Sequence, residues 1–316
     1  MEFVTLNRET FKKYLQEFAD LYTLCFHVPM NAEEVAWRYL DNPNAEILSC
    51  VAIDNGKLVA NYSAEPVLLQ HNGKVLKVAL SLNTMTHPDY MGQGLFVKLA
   101  SSVYRYMYEN GYQMIFGFPN NISNRTFVNK LGWHDIRIEP TLQIDVNRAH
   151  KKPAMPEIRI ISDDSFSLDY SGARCQNGTG IYKTREYLKW RYYQNPSVQY
   201  HTFVVCGPEE GKVSSRVTVK EFRDRVNVVD SFFACEAELC ALINHVIDFA
   251  LEKGKALITV WSGLGTWEHL LLESYGATLA IPVTYFGANV FGKEVDPEEF
   301  YHSEAWHLDM GDDNVY

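Results

Sequence analysis

The segment from His87 to Gly94, H-P-D-Y-M-G-Q-G, has the residue types and spacing of an anion-binding loop. It joins an apolar stretch that predicts a strand, Val75 to Met85, to a run in which apolar residues recur every fourth position. A glycine loop at a helix start presents unpaired backbone N–H groups and the positive end of the helix dipole to a ligand. Because Gly92 and Gly94 have no side chains, the backbone can approach a diphosphate closely. The segment predicts a phosphate site, although an isolated Gly-x-Gly also serves in ordinary tight turns.

The elements that follow the loop make this interpretation more specific. The helix after the loop is expected to end at Gly111, and Met114 to Phe118 predicts a short buried strand. The sequence Pro119-Asn120-Asn121 breaks that strand, and Ser123 to Leu131 predicts a second helix that closes at Gly132. This series of strand, glycine loop, helix, strand, Asn-rich turn and helix resembles the acetyl-CoA-binding core of the GCN5-related N-acetyltransferases, the GNAT superfamily.

The resemblance covers about Asn31 to Ile138 and centres on the pattern (Gln/Arg)-x-x-Gly-x-(Gly/Ala), which falls on Asp89 to Gly94. Both glycines match, whereas Asp89 replaces the first residue and Met91 stands where an arginine is common. The resemblance implies an α/β fold with a mixed, α+β type of sheet, and acetyl-CoA as co-substrate without a metal. It implies that the CoA pyrophosphate is held by the backbone N–H groups of Met91, Gly92, Gln93, Gly94, Leu95 and Phe96. The strand residues that would pair with the pantetheine and polarise the thioester carbonyl are Leu82, Asn83, Thr84 and Met85. The residues that would contact CoA at the start of the last core helix are Asn120, Asn121 and Ser123.

One departure from the family pattern concerns the mechanism. Many members carry a tyrosine four residues before the final glycine of the core, where it protonates the leaving thiolate. Val128 occupies that position here, and Phe127 precedes it. Either another group or water protonates the thiolate, or the catalytic geometry has been rebuilt.

Acyl transfer to an amine also needs a way to remove a proton from the acceptor. A primary amine with a pKa near 10 is almost wholly protonated at pH 7, so a base or a chain of waters must deliver the neutral form. Candidate bases near the expected cleft are Glu65 on the strand after a hairpin, His87 beside the glycine loop, and His134-Asp135 after the last core helix. Each also has an ordinary explanation, as a solvent-facing strand residue, a turn residue and a loop cap respectively. No G-x-S-x-G elbow is present, which disfavours a serine hydrolase.

The C-terminal tail from Trp306 to Tyr316 combines aromatic residues with carboxylates. It is similar to the tails of two-domain GNAT-like proteins encoded with surface-polysaccharide enzymes, which implies an amino sugar linked to a nucleotide as acceptor. An acidic tail of this kind is also often simply frayed. We expect the tail to pack near the interface of two domains, where Asp312 or Asp313 would hold the ammonium group of the acceptor. Asp312 therefore joins Glu65 and His87 as a predicted catalytic residue.

Composition and charge exclude several other classes of protein. The chain has 316 residues, of which 47% are hydrophobic, enough for two cores. Its formal charge of −10 disfavours nucleic acid or an anionic membrane as the main partner. The six cysteines form no C-x-x-C pair and are expected to be reduced thiols, so zinc and disulfides are not expected. The start of the chain has no apolar leader, and we expect a soluble cytoplasmic protein.

The two halves of the sequence resemble each other. Trp37-Arg38-Tyr39-Leu40-Asp41-Asn42-Pro43 recurs with an offset of 153 residues as Trp190-Arg191-Tyr192-Tyr193-Gln194-Asn195-Pro196. Later landmarks keep their order, with an offset of 155 for Gly56-Lys57 and Gly211-Lys212 and of 143 for Gly111 and Gly254. The ordered landmarks indicate a tandem duplication, against the alternative of two similar amphipathic helices that arose by chance.

The offset between the halves falls from 155 to 143 across the interval that contains the glycine loop. This fall indicates that the second half lacks the loop. There, the strand-like Val226 to Phe233 leads straight into the helix Leu239 to Leu251, and Glu236 and Glu238 would repel a phosphate. With the boundary at His150 to Pro156, we predict residues 1–150 as an acetyl-CoA-binding GNAT domain. Residues 151–316 are predicted to form a degenerate GNAT-like domain with an acceptor-side or structural role.

Three functions remain open from the sequence. The first is an acyl-CoA-dependent N-acyltransferase that acetylates an amino group of a small molecule, such as a nucleotide-linked amino sugar, by direct attack. The second is a regulatory protein that binds CoA without turnover. The third is an aminoacyl-transferase of the tandem-GNAT type, which would need a basic RNA-binding surface. The acceptor, the acyl-chain length, N- versus O-transfer, the general acid and base, and the oligomeric state are not fixed by the sequence.

Overall fold

The protein folds into two compact units, each assembled from separate stretches of the chain. The computed structural model describes residues 1–44, 46–153, 155–172, 178–209, 211–302 and 306–313. Unit 1 comprises Met1–Leu69, Lys74–Arg137 and Tyr285–Ser303, and unit 2 comprises Gln70–Gly73, Ile138–Thr284 and Glu304–Tyr316. The units therefore exchange segments, whereas the sequence-based division cuts the chain once, near residue 150.

The helices and strands of unit 1 lie mainly in the first 137 residues. The strands are β1 (Glu2–Leu6), β2 (Leu48–Asp54), β3 (Lys57–His71), β4 (Lys74–Thr86), β5 (Met114–Gly117) and the first part of β6 (His134–Asp145). The helices are α1 (Arg8–Phe11), α2 (Leu15–Phe26), α3 (Ala32–Leu40), α4 (Leu95–Glu109) and α5 (Asn121–Leu131). These bounds confirm the predicted strand before the glycine loop and the two helices and the strand after it.

The sheet of unit 1 is mixed and is completed from the far end of the chain. Its strands are ordered β1-β2-β3-β4-β5, followed by the end of β13 (Thr278–Val290). β4 and β5 are parallel, whereas β13 runs antiparallel to β5 with Gly287 opposite Gly117. The core lies between this sheet and α4 and α5, where Leu99, Val103 and Leu131 are buried. The predicted α/β fold with a mixed sheet is confirmed.

The N-terminal helical segment, from Arg8 to Phe26, is not one continuous helix. It is broken by a 3₁₀ turn at Lys12–Tyr14. The tighter turn lets Phe11 and Phe18 both contact Tyr39 of α3, with ring centroids 4.8 and 5.2 Å apart. Residues seven apart lie on nearly the same helix face, and both rings pack on the same partner across the break.

Unit 2 repeats the order of elements found in unit 1. Its strands are the second part of β6, β7 (Ile160–Ser162), β8 (Thr179–Ile181), β9 (His201–Cys206), β10 (Val213–Phe222), β11 (Arg225–Phe232), β12 (Leu257–Trp261), the first part of β13 and β14 (Trp306–His307). Its helices are α6 (Arg185–Leu188), which continues as a π-helical turn over Lys189–Tyr193, α7 (Glu236–Glu252) and α8 (Trp267–Glu273). The last helix of the chain, α9 (Glu298–Tyr301), belongs to unit 1. Among the helices of the described residues, none is long and apolar enough to cross a membrane.

The register of the strands supports the correspondence between the units. Ser49 of β2 lies opposite Ser63 of β3, and Thr202 of β9 lies opposite Thr218 of β10, at the offsets found in the sequence. β11 is parallel to β12, as β4 is to β5. The difference comes after β11, because only three residues separate Phe232 from the start of α7.

Candidate active site

The candidate site of unit 1 begins where the pairing of two parallel strands ends. β4 and β5 pair at two positions, Ala79 with Ile115 and Leu80 with Phe116. β4 continues to Thr86, so the residues after Ser81 extend beyond the end of β5. In open α/β sheets, ligands bind at the carboxyl ends of parallel strands. By this rule we expect the ligand cleft beside the second half of β4.

The predicted pantetheine segment contains an unusual backbone conformation. Asn83 has a φ of 52°, in the left-handed region, within the otherwise extended β4. A residue in this conformation turns its peptide group out of the regular ladder, as in a β-bulge. Its neighbours Leu82 and Met85 are buried and Thr84 is half-buried. The main chain of this segment is thereby reoriented beside the cleft.

Buried hydrogen bonds hold Asn83 in place. The Asn83 side chain donates to the hydroxyl of Tyr39 at 2.8 Å, and Asn61 Nδ2 donates to the Asn83 carbonyl oxygen at 2.7 Å. Tyr39 is also bonded to Ser63 Oγ at 2.7 Å, and Ser49 Oγ donates to Asn61 Oδ1 at 2.9 Å. We call these five residues the polar row. It lies between the sheet and α3, and it fixes the reoriented strand against that helix.

The glycine loop precedes α4 as predicted. Gly92 and Gly94 have φ values of 76° and 71°, and a Cβ atom at either would meet no heavy atom within 4 Å. Glycine is thus required here by the backbone conformation rather than by crowding. Gly94 is the N-cap of α4 and offers no side chain to the first turn. The N–H groups at this helix start are therefore open to an external acceptor.

The predicted pyrophosphate residues fall into two groups. Met91 and Gln93 are exposed on the loop. Leu95 is buried in the core, and the ring of Phe96 packs 5.0 Å from that of Phe127. Leu95 and Phe96 can therefore face a phosphate through their backbone N–H groups but not through their side chains.

The Asn-rich turn forms the start of α5. Asn120 Oδ1 accepts hydrogen bonds from the backbone N–H groups of Ile122 and Ser123, at 3.0 and 2.9 Å, so this oxygen is used as a helix cap. The Ser123 hydroxyl also bonds to Asn120 Oδ1, at 3.1 Å. Asn121, the first residue of the helix, is exposed.

The structure places the predicted base Glu65 in the interior. Only 2% of the residue is exposed, and Oε2 lies 3.2 Å from Nη1 of Arg38. The ion pair gives Glu65 a structural function, which is to hold α3 on the sheet. Its further function as a base remains a prediction.

The histidine candidates lie at the ends of two strands of unit 1. His87 follows β4, and its Nδ1 accepts a hydrogen bond from the backbone N–H of Asp89 at 3.2 Å. The ring of His134, at the start of β6, stacks on Tyr301 with centroids 4.1 Å apart. Asp135 Oδ2 accepts a hydrogen bond from Asn124 at 3.3 Å. The cap interaction orients His87 in front of the glycine loop.

Asp312 lies in unit 2, whereas Glu65 and His87 lie in unit 1. Its carboxylate does bind an ammonium group, but that group belongs to the chain itself. Lys183 Nζ lies 2.7 Å from Asp312, 2.8 Å from Asp309 and 2.7 Å from Asp230. Arg216 contributes a second cation, 2.6 Å from Asp230. We call these five residues the lysine cluster. Within the tail, Val315 and Tyr316 lie outside the described residues.

The lysine cluster contains three carboxylates and two cations, and all of them are almost completely buried except Asp309. Burial raises the pKa of Asp312 to about 7, against the lowering effect of Lys183. The pKa of Asp230 is instead lowered, because the neighbouring Arg216 and Lys183 outweigh the effect of burial. The cluster therefore fixes the tail to β11 and takes up a proton near neutral pH.

Residues 7–136 match the family model of the acetyltransferase (GNAT) domain. This segment, called the GNAT domain below, belongs to the GNAT acetyltransferase family. Acyl transfer is the class of reaction of this family, and its domains use acetyl-CoA as co-substrate. The match ends within β6, and so includes the glycine loop, the polar row and the Asn-rich turn. No curated protein matches the chain.

Solved structures resemble the chain beyond the GNAT domain. A conserved protein of unknown function from Enterococcus faecalis V583, named as a probable N-acyltransferase, has a TM-score of 0.68 and 13% identity and covers 92% of this chain and 72% of its own. A GCN5-related N-acetyltransferase from Anabaena variabilis has a TM-score of 0.66 and 12% identity, and the match covers 90% of this chain and 72% of that protein. Eis1 from Mycobacterium abscessus has a TM-score of 0.61 and 14% identity, and the match covers 90% of this chain and 73% of that protein. At these identities the similarity shows a shared fold.

The polar row is the main feature of the GNAT domain that the sequence did not reveal. Asn61, Ser63 and Glu65 occupy alternate positions of β3 and therefore share one face. That alternation of polar residues in an apolar strand was a readable signal. The partners Tyr39 and Asn83 were not readable, because they come from a helix and from a bulge elsewhere in the chain.

Proposed function

We propose that the GNAT domain transfers an acetyl group from acetyl-CoA to the amino group of a small molecule. The observation that carries this proposal is the alignment of two features along one edge of the domain. The glycine loop leaves the N–H groups at the start of α4 open, and the left-handed Asn83 reorients the main chain of β4 beside the end of β5. The first feature suits a diphosphate, and the second suits a thioester whose carbonyl needs donors.

The chemistry requires no covalent enzyme intermediate. The neutral amine attacks the thioester carbon, a new C–N bond forms, and the C–S bond breaks with its electron pair on sulfur. Holding amine and thioester in one cleft converts a bimolecular reaction into a local one. Donors placed where the carbonyl oxygen gains charge lower the barrier further.

An amino sugar as the acceptor stays a proposal, but the structure removes one argument for it. It was based on the acidic tail, and Asp312 and Asp309 are already bonded to Lys183. We therefore propose only a primary amine of a small molecule as the acceptor class, with nucleotide-linked amino sugars as one group to test.

A second candidate function is supported by one observation. Val128 stands where the family often has its acid, and it is half-buried in α5. A domain without that acid could bind CoA without turning it over, as a regulatory module.

Release of free thiol from acetyl-CoA in the presence of a panel of amines tests the two functions against each other. Transfer predicts acceptor-dependent release, with acetylated amine detected by mass spectrometry in equal amount. The regulatory module predicts that CoA raises the melting temperature while no amine gives release. Gly94→Ala tests the glycine loop, and Gly111→Ala is its matched control, because both glycines have positive φ and only Gly94 lies in the loop.

A further inference from the structure

A chain of four hydrogen-bonded side chains crosses the interior of the GNAT domain. Trp133 Nε1 lies 2.8 Å from the hydroxyl of Tyr104, which lies 3.0 Å from the hydroxyl of Tyr62. The hydroxyl of Tyr62 lies 2.8 Å from Ser81 Oγ. We call these residues the donor chain. Trp133 and Tyr62 are buried, and Ser81 is half-buried on β4.

The chemistry of the side chains fixes the direction of the donor chain. An indole N–H can only donate, so Trp133 donates to Tyr104. Each buried hydroxyl proton then has an acceptor only if Tyr104 donates to Tyr62 and Tyr62 donates to Ser81. Burial raises the pKa of Tyr62 and of Tyr104, so both hydroxyls keep their protons. The hydroxyl proton of Ser81 is left as the terminal donor.

Ser81 lies at the end of the pairing between β4 and β5, beside the expected cleft. It follows Leu80, the last residue of β4 that pairs with β5. Across the strands is Gly117, where a Cβ atom would lie 3.3 Å from both Ser81 Cβ and Trp133 Cη2. A glycine at that position keeps the two strands and the indole ring close together without a side chain between them. Within the described residues, the hydrogen bond to Tyr62 is the one that the Ser81 side chain makes.

The second unit lacks the donor chain at every position. Val217 lies opposite Phe203 as Tyr62 lies opposite Cys50, and Val229 follows the last β11–β12 pair as Ser81 follows the last β4–β5 pair. The offset of 143 between Gly111 and Gly254, and of 144 between Gly132 and Gly276, relates the other two members to apolar residues. Those counterparts are Ile247 for Tyr104 and Ala277 for Trp133. The same fold therefore packs these positions with aliphatic side chains when the glycine loop is absent.

We propose that the Ser81 hydroxyl donates a hydrogen bond to the sulfur of CoA as the thiolate leaves, with Tyr62 and Tyr104 as positioning residues. This inference rests on the proposed function. When the C–S bond breaks, its electron pair stays on sulfur, and Ser81 stabilises that charge while keeping its own proton. The proton lost by the amine passes to water, and solvent later protonates the thiolate. Ser81 thereby supplies the charge stabilisation that the absent tyrosine of α5 would give.

The acidity of the bound CoA thiol tests this inference without requiring turnover. The thiolate of CoA bound to the full chain is titrated by its ultraviolet absorbance, with desulfo-CoA bound to the same protein as blank. A hydrogen bond to a charged group is worth about 1.5–3 kcal/mol, so Ser81→Ala should weaken the acid strength of the bound thiol by about tenfold or more. Ser81→Thr, which keeps the hydroxyl, should restore it. Ser101→Ala, an exposed serine of α4, is the matched control.

The possible outcomes distinguish failure of this inference from failure of the proposed function on which it rests. Ser81→Ala should also lower kcat about tenfold while leaving the Km for acetyl-CoA unchanged, and Tyr104→Phe should have a smaller effect of the same kind. Equal thiol acidity in the native chain and Ser81→Ala, with CoA bound to both, overturns the role of Ser81 alone. Failure of the native chain to bind CoA overturns the proposed function and this inference together.

Discussion

The side chain of Asn83 donates a 2.8 Å hydrogen bond to the hydroxyl of Tyr39, and this contact holds the left-handed residue of β4. Burial raises the pKa of Tyr39, so its hydroxyl stays protonated and continues the network by bonding to Ser63. The conformation of the thioester-binding strand in the proposed site therefore depends on a residue of α3. Helix and strand act together here although they are far apart in sequence.

Replacing Asn83 should damage both stability and transfer. Asn83→Ala puts alanine, which tolerates the left-handed region less well than asparagine, at a φ of 52°, and it removes the bond to Tyr39. We expect the free energy of unfolding to fall by about 2–4 kcal/mol and acetyl transfer to fall more than tenfold. Denaturant unfolding and thiol release measure the two effects. Asn55→Ala is the control, because Asn55 has a φ of 49° in an exposed turn, and it should lower stability without changing turnover.

Alanine in the glycine loop should act mainly on cofactor binding. Gly92→Ala and Gly94→Ala are strained at positive φ although the added carbon meets no neighbour, at a cost of about 1–2 kcal/mol each. We expect the Km for acetyl-CoA to rise about tenfold because the backbone N–H groups shift. Gly111→Ala carries the same strain at the other end of α4. A similar rise in Km for Gly111→Ala would show that the effect is not local to the loop.

Replacing Arg38 should lower the free energy of unfolding more than replacing Glu65, its partner in the ion pair. Arg38→Met removes a cation 3.2 Å from a buried carboxylate, and we expect a loss of about 3–5 kcal/mol in unfolding free energy. Glu65→Gln should cost less and should keep kcat within about tenfold if the pair is structural. A fall in kcat of about 100-fold with an intact fold would instead identify Glu65 as the base.

The lysine cluster should make stability depend on pH. Burial raises the folded-state pKa of Asp312 from its ordinary value of 3.8 to about 7, so its stabilising contribution is full below pH 4 and is lost as the pH rises through 7. Asp312→Asn should remove this decline, which is of the order of a few kcal/mol between pH 4 and 8. Urea midpoints of both proteins at pH 5 and pH 8 test this. Parallel changes in the two proteins would assign the pH dependence to other groups.

Much of the GNAT domain could be predicted because its signals are local. Gly111 and Gly132 close α4 and α5 as expected, since a positive φ after a helix needs only neighbouring residues. The glycine loop was readable for the same reason. These features follow from backbone conformations that glycine adopts and other residues avoid.

The remainder depends on contacts between distant residues. The donor chain joins residues 62, 81, 104 and 133, and no short motif marks them. The pairing of Gly287 with Gly117 likewise brings the end of the chain into the first sheet. Asp312 was expected to hold the ammonium of an acceptor, but Lys183, 129 positions earlier in the sequence, occupies it. A sequence pattern records which groups are present, and the fold decides which of them meet.

Hydrogen exchange of the full chain with and without acetyl-CoA tests the central claim most directly, which is that the cofactor binds beside β4 of the GNAT domain. We expect slower exchange at the backbone amides of residues 82–85 and 91–97 when acetyl-CoA is bound. We also expect no change at residues 229–238 of unit 2, where the glycine loop is absent. Protection confined to unit 2, or acetyl transfer without protection at either segment of the GNAT domain, would contradict the claim.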